Sequence, residues 1–263
     1  YRFNADNPLG LFTLDESISG TDTLDFSPTT ALGVTVNLGV SATQVVNSNL
    51  SLKLGSGLQF ERIIGGAKND TLTGNSLANT LTGNAGDDIL NGGLGSDALI
   101  GGIGNDIYVF GGATIGGETD TITEASGGGT DTIDFSSRSV AVTLNISDSS
   151  STQQAHTDRK IKLSSGLGIE KVIGGSKNDT LTGNSLANTL TGNAGDDILN
   201  SGLGSDSLVG GLGNDTYIFG GATVGGETDT ITEASGAGID TMDFSSRTID
   251  VTINISDSAN QQQ

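Results

Sequence analysis

Acidic side chains recur every nine residues in two blocks of the sequence, at residues 65–109 and 174–218. In the first block each repeat begins with Gly, carries Asp or Asn at position 6, and has Leu or Tyr at position 8. The residues at position 6 are Asp70, Asn79, Asp88, Asp97 and Asp106, then Asp179, Asn188, Asp197, Asp206 and Asp215. Carboxylates beside Gly residues, whose free backbone turns carbonyl oxygens toward one point, offer the hard-oxygen ligands that Ca²⁺ prefers. The spacing therefore predicts calcium sites.

The same spacing predicts the elements that position these groups. If each repeat is a turn followed by a short strand, two repeats make one coil, and alternate repeats lie about 4.8 Å apart. This arrangement stacks the acidic positions at two edges and the apolar positions inside, as columns of Leu72, Leu90 and Tyr108 and of Leu81 and Leu99. Stacked carboxylates repel, so a bound cation is needed to make the geometry favourable. Mg²⁺ is a less suitable cation because it needs a small, rigid octahedron of ligands. Zn²⁺ is unsuitable because the chain has no Cys and one His to bind it.

Composition narrows the function classes. The chain carries 31 acidic and 11 basic residues, for a net charge of −20, which argues against binding to nucleic acid or to anionic membranes. Its longest apolar runs are only a few residues, so insertion into a membrane is not expected. It has 42 Gly, 2 Pro and no Cys, so turns depend on Gly and a disulfide framework is excluded. A hydrophobic content of 33% with this charge is typical of a disordered chain, and the regular apolar positions indicate that a bound ligand orders it.

A longer repeat contains the nine-residue one. Residues 68–91 return unchanged as 177–200, which is a period of 109 residues. We expect a fragment of a longer tandem array. The predicted domains are 1–55, the end of a preceding unit; 56–164, a unit with a β-roll at 56–109 and irregular coils at 110–164; and 165–263, a second unit with a β-roll at 165–218 and truncated irregular coils at 219–263.

The irregular half of each unit keeps a weaker signal. Asp120, Asp131, Asp229 and Asp240 precede a Thr and an apolar residue, and they are candidates for either metal ligation or turn capping. Alternating stretches at 34–40, 140–146 and 249–255 predict strands, and 147–158 predicts a polar loop. That loop holds His156, and no nucleophile motif accompanies it, so an enzyme is not expected.

GGLGSDALI (92–100), GGIGNDIYV (101–109) and GGLGNDTYI (210–218) match G-G-x-G-x-D-x-U-x at every position, and the chain resembles the RTX (repeats-in-toxin) family. The resemblance implies an all-β, right-handed parallel β-roll or β-solenoid, stapled by several Ca²⁺ ions, exported by type I secretion and folded by external calcium. It implies that the position-6 Asp side chains and turn carbonyls hold the ions. The implied ligands are the side chains of Asp70, Asp88, Asp97, Asp106, Asp179, Asp197, Asp206 and Asp215, and the carbonyls of Gly83, Gly86, Gly92, Gly95, Gly101, Gly104, Gly192, Gly195, Gly204, Gly210 and Gly213.

The sequence departs from the family pattern in the second repeat of each block. Asn79 and Asn188 replace Asp, and Leu77 and Leu186 replace Gly at position 4, so we expect those turns to be poor in metal. Glu61 and Glu170 hold the same phase in what we interpret as the first turn of each roll.

Three functions fit these patterns to different degrees. Near-identical tandem units favour an extracellular structural array, such as a fibre, surface layer or adhesin shaft, that associates with itself end to end through open strand edges. The alternative is an accessory module of a secreted enzyme or toxin whose active domain lies elsewhere. A ligand-binding face for ice or carbohydrate is disfavoured because the Thr ladder stops at Ile89 and Asn91.

Overall fold

The computed structural model describes residues 1–16, 20–56, 60–112, 116–124, 128–166, 168–220, 227–234 and 238–247. Across these ranges the chain forms strands and turns, and it contains no helix. Accordingly, no helix in the described ranges has the length and apolarity to cross a bilayer.

The strands are short and follow one another at close intervals. The first twelve are β1 (Gly10–Leu14), β2 (Thr23–Asp25), β3 (Thr35–Asn37), β4 (Gln44–Asn47), β5 (Leu50–Leu54), β6 (Arg62–Ile64), β7 (Thr71–Thr73), β8 (Thr80–Ala85), β9 (Ile89–Asn91), β10 (Ala98–Ile103), β11 (Ile107–Val109) and β12 (Glu118–Thr123). The remaining twelve are β13 (Thr132–Asp134), β14 (Thr143–Asn145), β15 (Thr152–His156), β16 (Arg159–Leu163), β17 (Lys171–Ile173), β18 (Thr180–Thr182), β19 (Thr189–Ala194), β20 (Ile198–Asn200), β21 (Ser207–Leu212), β22 (Thr216–Ile218), β23 (Thr230–Thr232) and β24 (Thr241–Asp243).

Nearly all strand pairs are parallel, and alternate strands share a sheet. One sheet of seven strands has the order β15-β16-β12-β10-β8-β6-β2, and one of nine has the order β23-β21-β19-β17-β13-β11-β9-β7-β3. A sheet of five has the order β14-β18-β20-β22-β24, and β1, β5 and β4 form a separate sheet of three. The protein is therefore a parallel β-solenoid, as predicted.

The core lies between the sheets, and the position-8 side chains form its regular columns. Leu72 pairs in register with Leu90, and Leu90 with Tyr108, while Leu81 pairs with Leu99 on the other face. All five side chains are fully buried. The two predicted apolar columns are confirmed, because a spacing of two repeats brings each position 8 directly above its equivalent.

The two units share a sheet. Strand β13, from the irregular half of the first unit, pairs with β11 on one side and with β17, the first strand of the second roll, on the other. The nine-stranded sheet is thus the second face of the first roll and the first face of the second. Strand pairing in this sheet is therefore continuous from the first repeat block to the second.

The irregular half also contains an antiparallel hairpin. β15 pairs with β16, so the prediction of a polar loop over 147–158 is wrong for Thr152–His156. In this hairpin, Gln153 Oε1 accepts the backbone N–H of Asn145 at 2.7 Å, and the side chains of Ala155 and His156 are buried. The other predicted strands are shorter than expected, at Thr35–Asn37 and Thr143–Asn145, and 249–255 lies outside the described residues.

Candidate metal centre

The position-6 carboxylates form hydrogen-bonded columns along the edges of the solenoid. Asp88 Oδ1 accepts the backbone N–H of Asp70 at 2.7 Å, and Asp106 Oδ1 accepts that of Asp88 at 2.8 Å. Asp131 continues the column by accepting the N–H of Asp106 at 2.8 Å. The N–H of Asp131 then donates to Glu170 Oε2 at 2.9 Å. The column therefore passes from the first unit into the second.

Three further columns follow the same rule. In the first unit, Asp97 Oδ1 accepts the N–H of Asn79 at 2.8 Å and Asp120 Oδ1 accepts that of Asp97 at 2.9 Å. In the second unit, the equivalent bonds join Asp179 to Asp197, Asp197 to Asp215 and Asp215 to Asp240. Asn188, Asp206 and Asp229 are joined likewise. Asp120, Asp131, Asp229 and Asp240 thus lie in the columns, although their coils are longer than eighteen residues.

Six of the aspartates in these columns have a buried carboxylate oxygen without a hydrogen-bond partner. Among the described residues, the buried Oδ2 atoms without a hydrogen bond are those of Asp88, Asp97, Asp106, Asp197, Asp206 and Asp215. A buried carboxylate oxygen without a partner is costly, and a cation removes that cost. The donor set is all oxygen, which fits Ca²⁺.

The Gly residues leave room for these oxygens. A Cβ on Gly83 would meet Asp88 Oδ2 and would lie 2.7 Å from the carbonyl oxygen of Gly101, one coil away. Gly86 and Gly104 have φ values of 120° and 139°, and a Cβ on Gly104 would meet the carbonyl oxygen of Gly86. A side chain at Gly83 is therefore excluded by the carboxylate and carbonyl oxygens that converge on it, and Gly86 and Gly104 at position 4 have the left-handed backbone that favours Gly.

Asp70 and Asp179, at the start of their columns, differ from the other predicted ligands. Both oxygens of Asp70 accept backbone N–H groups, from Val34 at 2.7 Å and from Gly66 at 2.6 Å. Asp179 is bonded in the same way by Val142 and Gly175. The backbone therefore satisfies these two carboxylates without an ion.

Asn79 is satisfied in a similar way. Its Oδ1 accepts the N–H of Asn75 at 2.7 Å, and the amide Nδ2 lies 3.4 Å from the carbonyl oxygen of Phe60. Asn188 repeats the bond to the backbone through Asn184. These side chains fill their turns with protein hydrogen bonds alone.

An arginine ends the column of Asn79, Asp97 and Asp120. Arg159 is buried, and its guanidinium bonds to Asp120 Oδ2, to the carbonyl oxygen of Gly93 at 2.9 Å and to Glu118 Oε2 at 3.4 Å. The positive charge at this end of the column is thus supplied by the protein. The sequence gives little signal for the pairing because 39 residues separate Arg159 from Asp120.

Burial dominates the electrostatics of the columns. The pKa of Asp88 is raised to about 7, mainly by burial. The hydrogen bond from the Asp70 N–H lowers this pKa, and the charges of Asp70 and Asp106 raise it. Burial likewise raises the pKa of Asp97 to about 7 and that of Asp70 to about 6. Without a bound cation, burial therefore shifts these carboxyl groups toward the protonated form.

Sequence reasoning missed two glutamates. Glu124 and Glu233 are each bonded by the hydroxyl of the tyrosine at position 8 of the last repeat, Tyr108 and Tyr217 respectively. The prediction that these tyrosines belong to the core is confirmed for their rings, which are buried. The available signal was that the change from Leu to Tyr recurs with a Glu sixteen residues later in both units.

The remaining candidates have structural partners. His156 is buried in the hairpin and contacts Arg138 and Asp158. Burial, followed by the charge of Arg138, lowers its pKa. Asp134 caps its own turn by accepting the N–H of Ser136 at 2.7 Å.

Comparison with known proteins agrees with this geometry. A family model of the RTX calcium-binding nonapeptide repeat matches in four copies, at residues 57–76, 73–108, 164–185 and 182–217. No curated protein matches the chain. The matched residues include every position 6 of the two blocks. The chain therefore carries two blocks of the RTX calcium-binding nonapeptide repeat, folded as a parallel β-solenoid that binds several Ca²⁺ ions.

Proposed function

We propose that this chain is an extracellular structural module that folds and becomes rigid when it meets calcium. The observation that carries the proposal is the set of buried, unpartnered carboxylate oxygens arranged in columns that cross from one unit into the next. Calcium would neutralise these carboxylates and hold successive coils together. Without it, their mutual repulsion and burial oppose the folded state.

The proposed ligands divide into two groups. Six side chains have a free buried oxygen and form the first group, namely Asp88, Asp97, Asp106, Asp197, Asp206 and Asp215. Asp70 and Asp179 form the second, since an ion there must compete with backbone N–H groups. The carbonyl ligands are those of Gly83, Gly86, Gly92, Gly95, Gly101, Gly104, Gly192, Gly195, Gly204, Gly210 and Gly213. The turns of Asn79 and Asn188 hold little or no metal.

The scaffold function is favoured over catalysis by the repetition itself. The two units are nearly identical and continue one sheet, so a second unit adds length without adding a new constellation of groups. Self-association end to end follows the same logic, because β23 and β24 end their sheets in the described part of the chain. Proteins with RTX repeats are typically secreted, and we extend this to type I export of an unfolded, calcium-free chain.

A calcium titration followed by far-ultraviolet circular dichroism tests the proposal, with Mg²⁺ as the control cation and EDTA added at the end. We expect a steep transition from coil to β-structure near millimolar calcium, which is the range of extracellular modules at about 10⁻⁴–10⁻³ M. Mg²⁺ should not produce the transition, and EDTA should reverse it. A chain that is fully folded in EDTA would refute calcium-driven folding.

Sedimentation velocity tests the scaffold role separately. In calcium, the folded chain should form larger species as its concentration rises, whereas the unfolded chain in EDTA should not. A folded monomer over the whole concentration range would instead favour the accessory module of a secreted enzyme or toxin.

A further inference from the structure

A group of three carboxylates lies beyond the last nonapeptide of the first block. One oxygen each from Asp106, Glu124 and Asp131 lies within 4.8 Å of the other two. All three residues are buried. Only Asp106 belongs to a nonapeptide, since Glu124 and Asp131 come from the irregular half of the unit.

The hydrogen bonds of these three carboxylates leave one oxygen, Asp106 Oδ2, without a partner inside the group. Asp106 Oδ1 accepts the N–H of Asp88 at 2.8 Å, and Asp131 Oδ1 accepts the N–H of Asp106 at 2.8 Å. Asp106 Oδ2 has no hydrogen-bond partner, although the residue is 0% exposed. A buried, unpartnered oxygen facing two more carboxylates is a place for a cation rather than for another acceptor.

Tyr108 fixes the position of Glu124. Its hydroxyl donates to Glu124 Oε1 and accepts the backbone N–H of Gly101 at 2.8 Å. The ring is held in the core, so the hydroxyl has little freedom. A Cβ on Gly101 would meet Glu124 Oε1, Asp106 Oδ2 and Tyr108 Oη at once, which shows that these oxygens converge on one point.

We propose that Asp106, Glu124 and Asp131 bind a Ca²⁺ ion at a side-chain site of their own, which closes the first roll. Tyr108 is a positioning residue that aims Glu124 at the ion. The site differs from those of the nonapeptide turns because three carboxylates supply it, and calcium affinity rises with the charge of the ligands. Its ion is therefore the last to leave the unit as calcium is withdrawn. This inference rests on the proposed calcium-binding function.

The arrangement recurs at the end of the second block. Asp215, Glu233 and Asp240 form the equivalent group, and the Tyr217 hydroxyl bonds to Glu233 Oε1. Asp215 Oδ2 is again buried and unpartnered, while Asp240 is exposed. We expect this second site to bind calcium more weakly than the first, because one of its carboxylates stays in contact with water.

Terbium luminescence offers a test that is specific for this place. The chain has three Tyr and no Trp, and two of the tyrosines contact the proposed sites. Tb³⁺ shares the preference of Ca²⁺ for oxygen ligands, so excitation of tyrosine should produce Tb³⁺ emission that added calcium removes. Tyr1→Phe should leave the emission unchanged, since Tyr1 lies at the other end of the chain.

The decisive variant combines Glu124→Gln with Glu233→Gln. We expect it to fold in calcium, to lose most of the tyrosine-sensitised emission, and to bind one ion fewer per unit by calorimetry. The matched control is Asp87→Asn with Asp196→Asn, which changes exposed carboxylates one residue before position 6 and should retain both the emission and the ion count.

Each outcome decides something. An unchanged ion count and unchanged emission in the Gln variant would overturn the side-chain site while leaving calcium-driven folding intact. If the Gln variant stays unfolded, the proposal is tested instead on the chain that keeps both glutamates. Tyrosine-sensitised emission that survives Tyr1→Phe supports the site, and its absence when calorimetry shows bound ions overturns it. A wild-type chain that ignores calcium altogether would refute the proposed function instead.

Discussion

The backbone N–H of Asp131 donates to Glu170 Oε2 at 2.9 Å, and this bond joins the last coil of the first unit to the first coil of the second. The strands that carry the two residues also pair, as β13 with β17. A carboxylate column and a sheet therefore cross the boundary together. Because the coils on both sides support one another, the two units should fold in a single transition.

This coupling predicts that a change in one unit affects both. Asp88→Asn keeps an acceptor for the Asp70 N–H but removes the charge between Asp70 and Asp106. Even changes outside the ligand shell cost about tenfold in metal affinity, so we expect the calcium midpoint to rise at least that much. Circular dichroism should still show one transition for the whole chain. Asp87→Asn, at the exposed neighbouring position, should leave the midpoint unchanged.

The contrary result is also clear. If Asp88→Asn splits the titration into two steps, with the second unit folding at the original calcium concentration, the units fold independently. The bond between Asp131 and Glu170 would then carry no coupling.

Arg159 and Asp120 should show strong energetic coupling in calcium. Arg159→Met leaves Asp120 buried beside Glu118 without its guanidinium, and removal of one partner of a buried pair costs about 3–5 kcal/mol. Asp120→Asn in the Arg159→Met background should recover much of that loss. Urea unfolding of the four proteins in the double-mutant cycle measures the coupling, and simple additivity would show that the pair does not act as one unit.

The buried position-8 leucines should contribute more to the free energy of unfolding than their exposed neighbours. Leu90→Ala removes a fully buried side chain from the core and should lower the free energy of unfolding in calcium by about 2–5 kcal/mol. Ile89→Ala, at the adjacent position that is 39% exposed, should cost less than about 1 kcal/mol. Urea unfolding measures both. Equal losses would mean that position 8 is not the packed face.

The pH dependence of the metal-free chain follows from burial of the columns. The pKa of Asp88 is about 7 in the folded state against an ordinary value of 3.8, and those of Asp97, Asp197 and Asp206 are also about 7. The folded state therefore binds more protons than the unfolded state between these values. Its stability is greatest at the acid end and falls as pH rises through about 7.

We accordingly expect more β-structure in EDTA near pH 5 than near pH 8, as measured by circular dichroism across the interval from 3.8 to about 7. Calcium binding near neutral pH should also release protons, because the ligands must ionise. A signal that increases with pH in EDTA would contradict the raised pKa values.

The strict nine-residue spacing made much of the solenoid predictable. A period of two repeats places Leu72 on Leu90 and Asp88 on Asp106, and the structure has both registers. The division into units at residues 56 and 165 stays a prediction. The structure adds that a sheet runs through the second of these boundaries, which the sequence could not indicate because thirty-nine residues separate Asp131 from Glu170.

The carboxylate groups at the ends of the two repeat blocks could not be predicted from the sequence for a related reason. Coils of 23 and 25 residues follow Asp97 and Asp106, so Glu124 has no fixed phase relative to the repeats. Its role depends on the hydroxyl of Tyr108, and a Tyr in a Leu position looks like one more core residue. Similarly, the strand Thr152–His156 buries two adjacent residues and does not alternate, and it lies in a stretch rich in Gln and Ser, which is typical of loops.

The sheet formed by β11, β13 and β17 has a mechanical consequence. Backbone hydrogen bonds in a parallel ladder run along the stacking axis, so they carry a pull applied between the ends of the solenoid. The ladders of β11 with β13 and of β13 with β17 each pair three residues in register, so this pull crosses the junction through backbone hydrogen bonds. A tandem array built in this way would transmit tension from unit to unit through one continuous sheet.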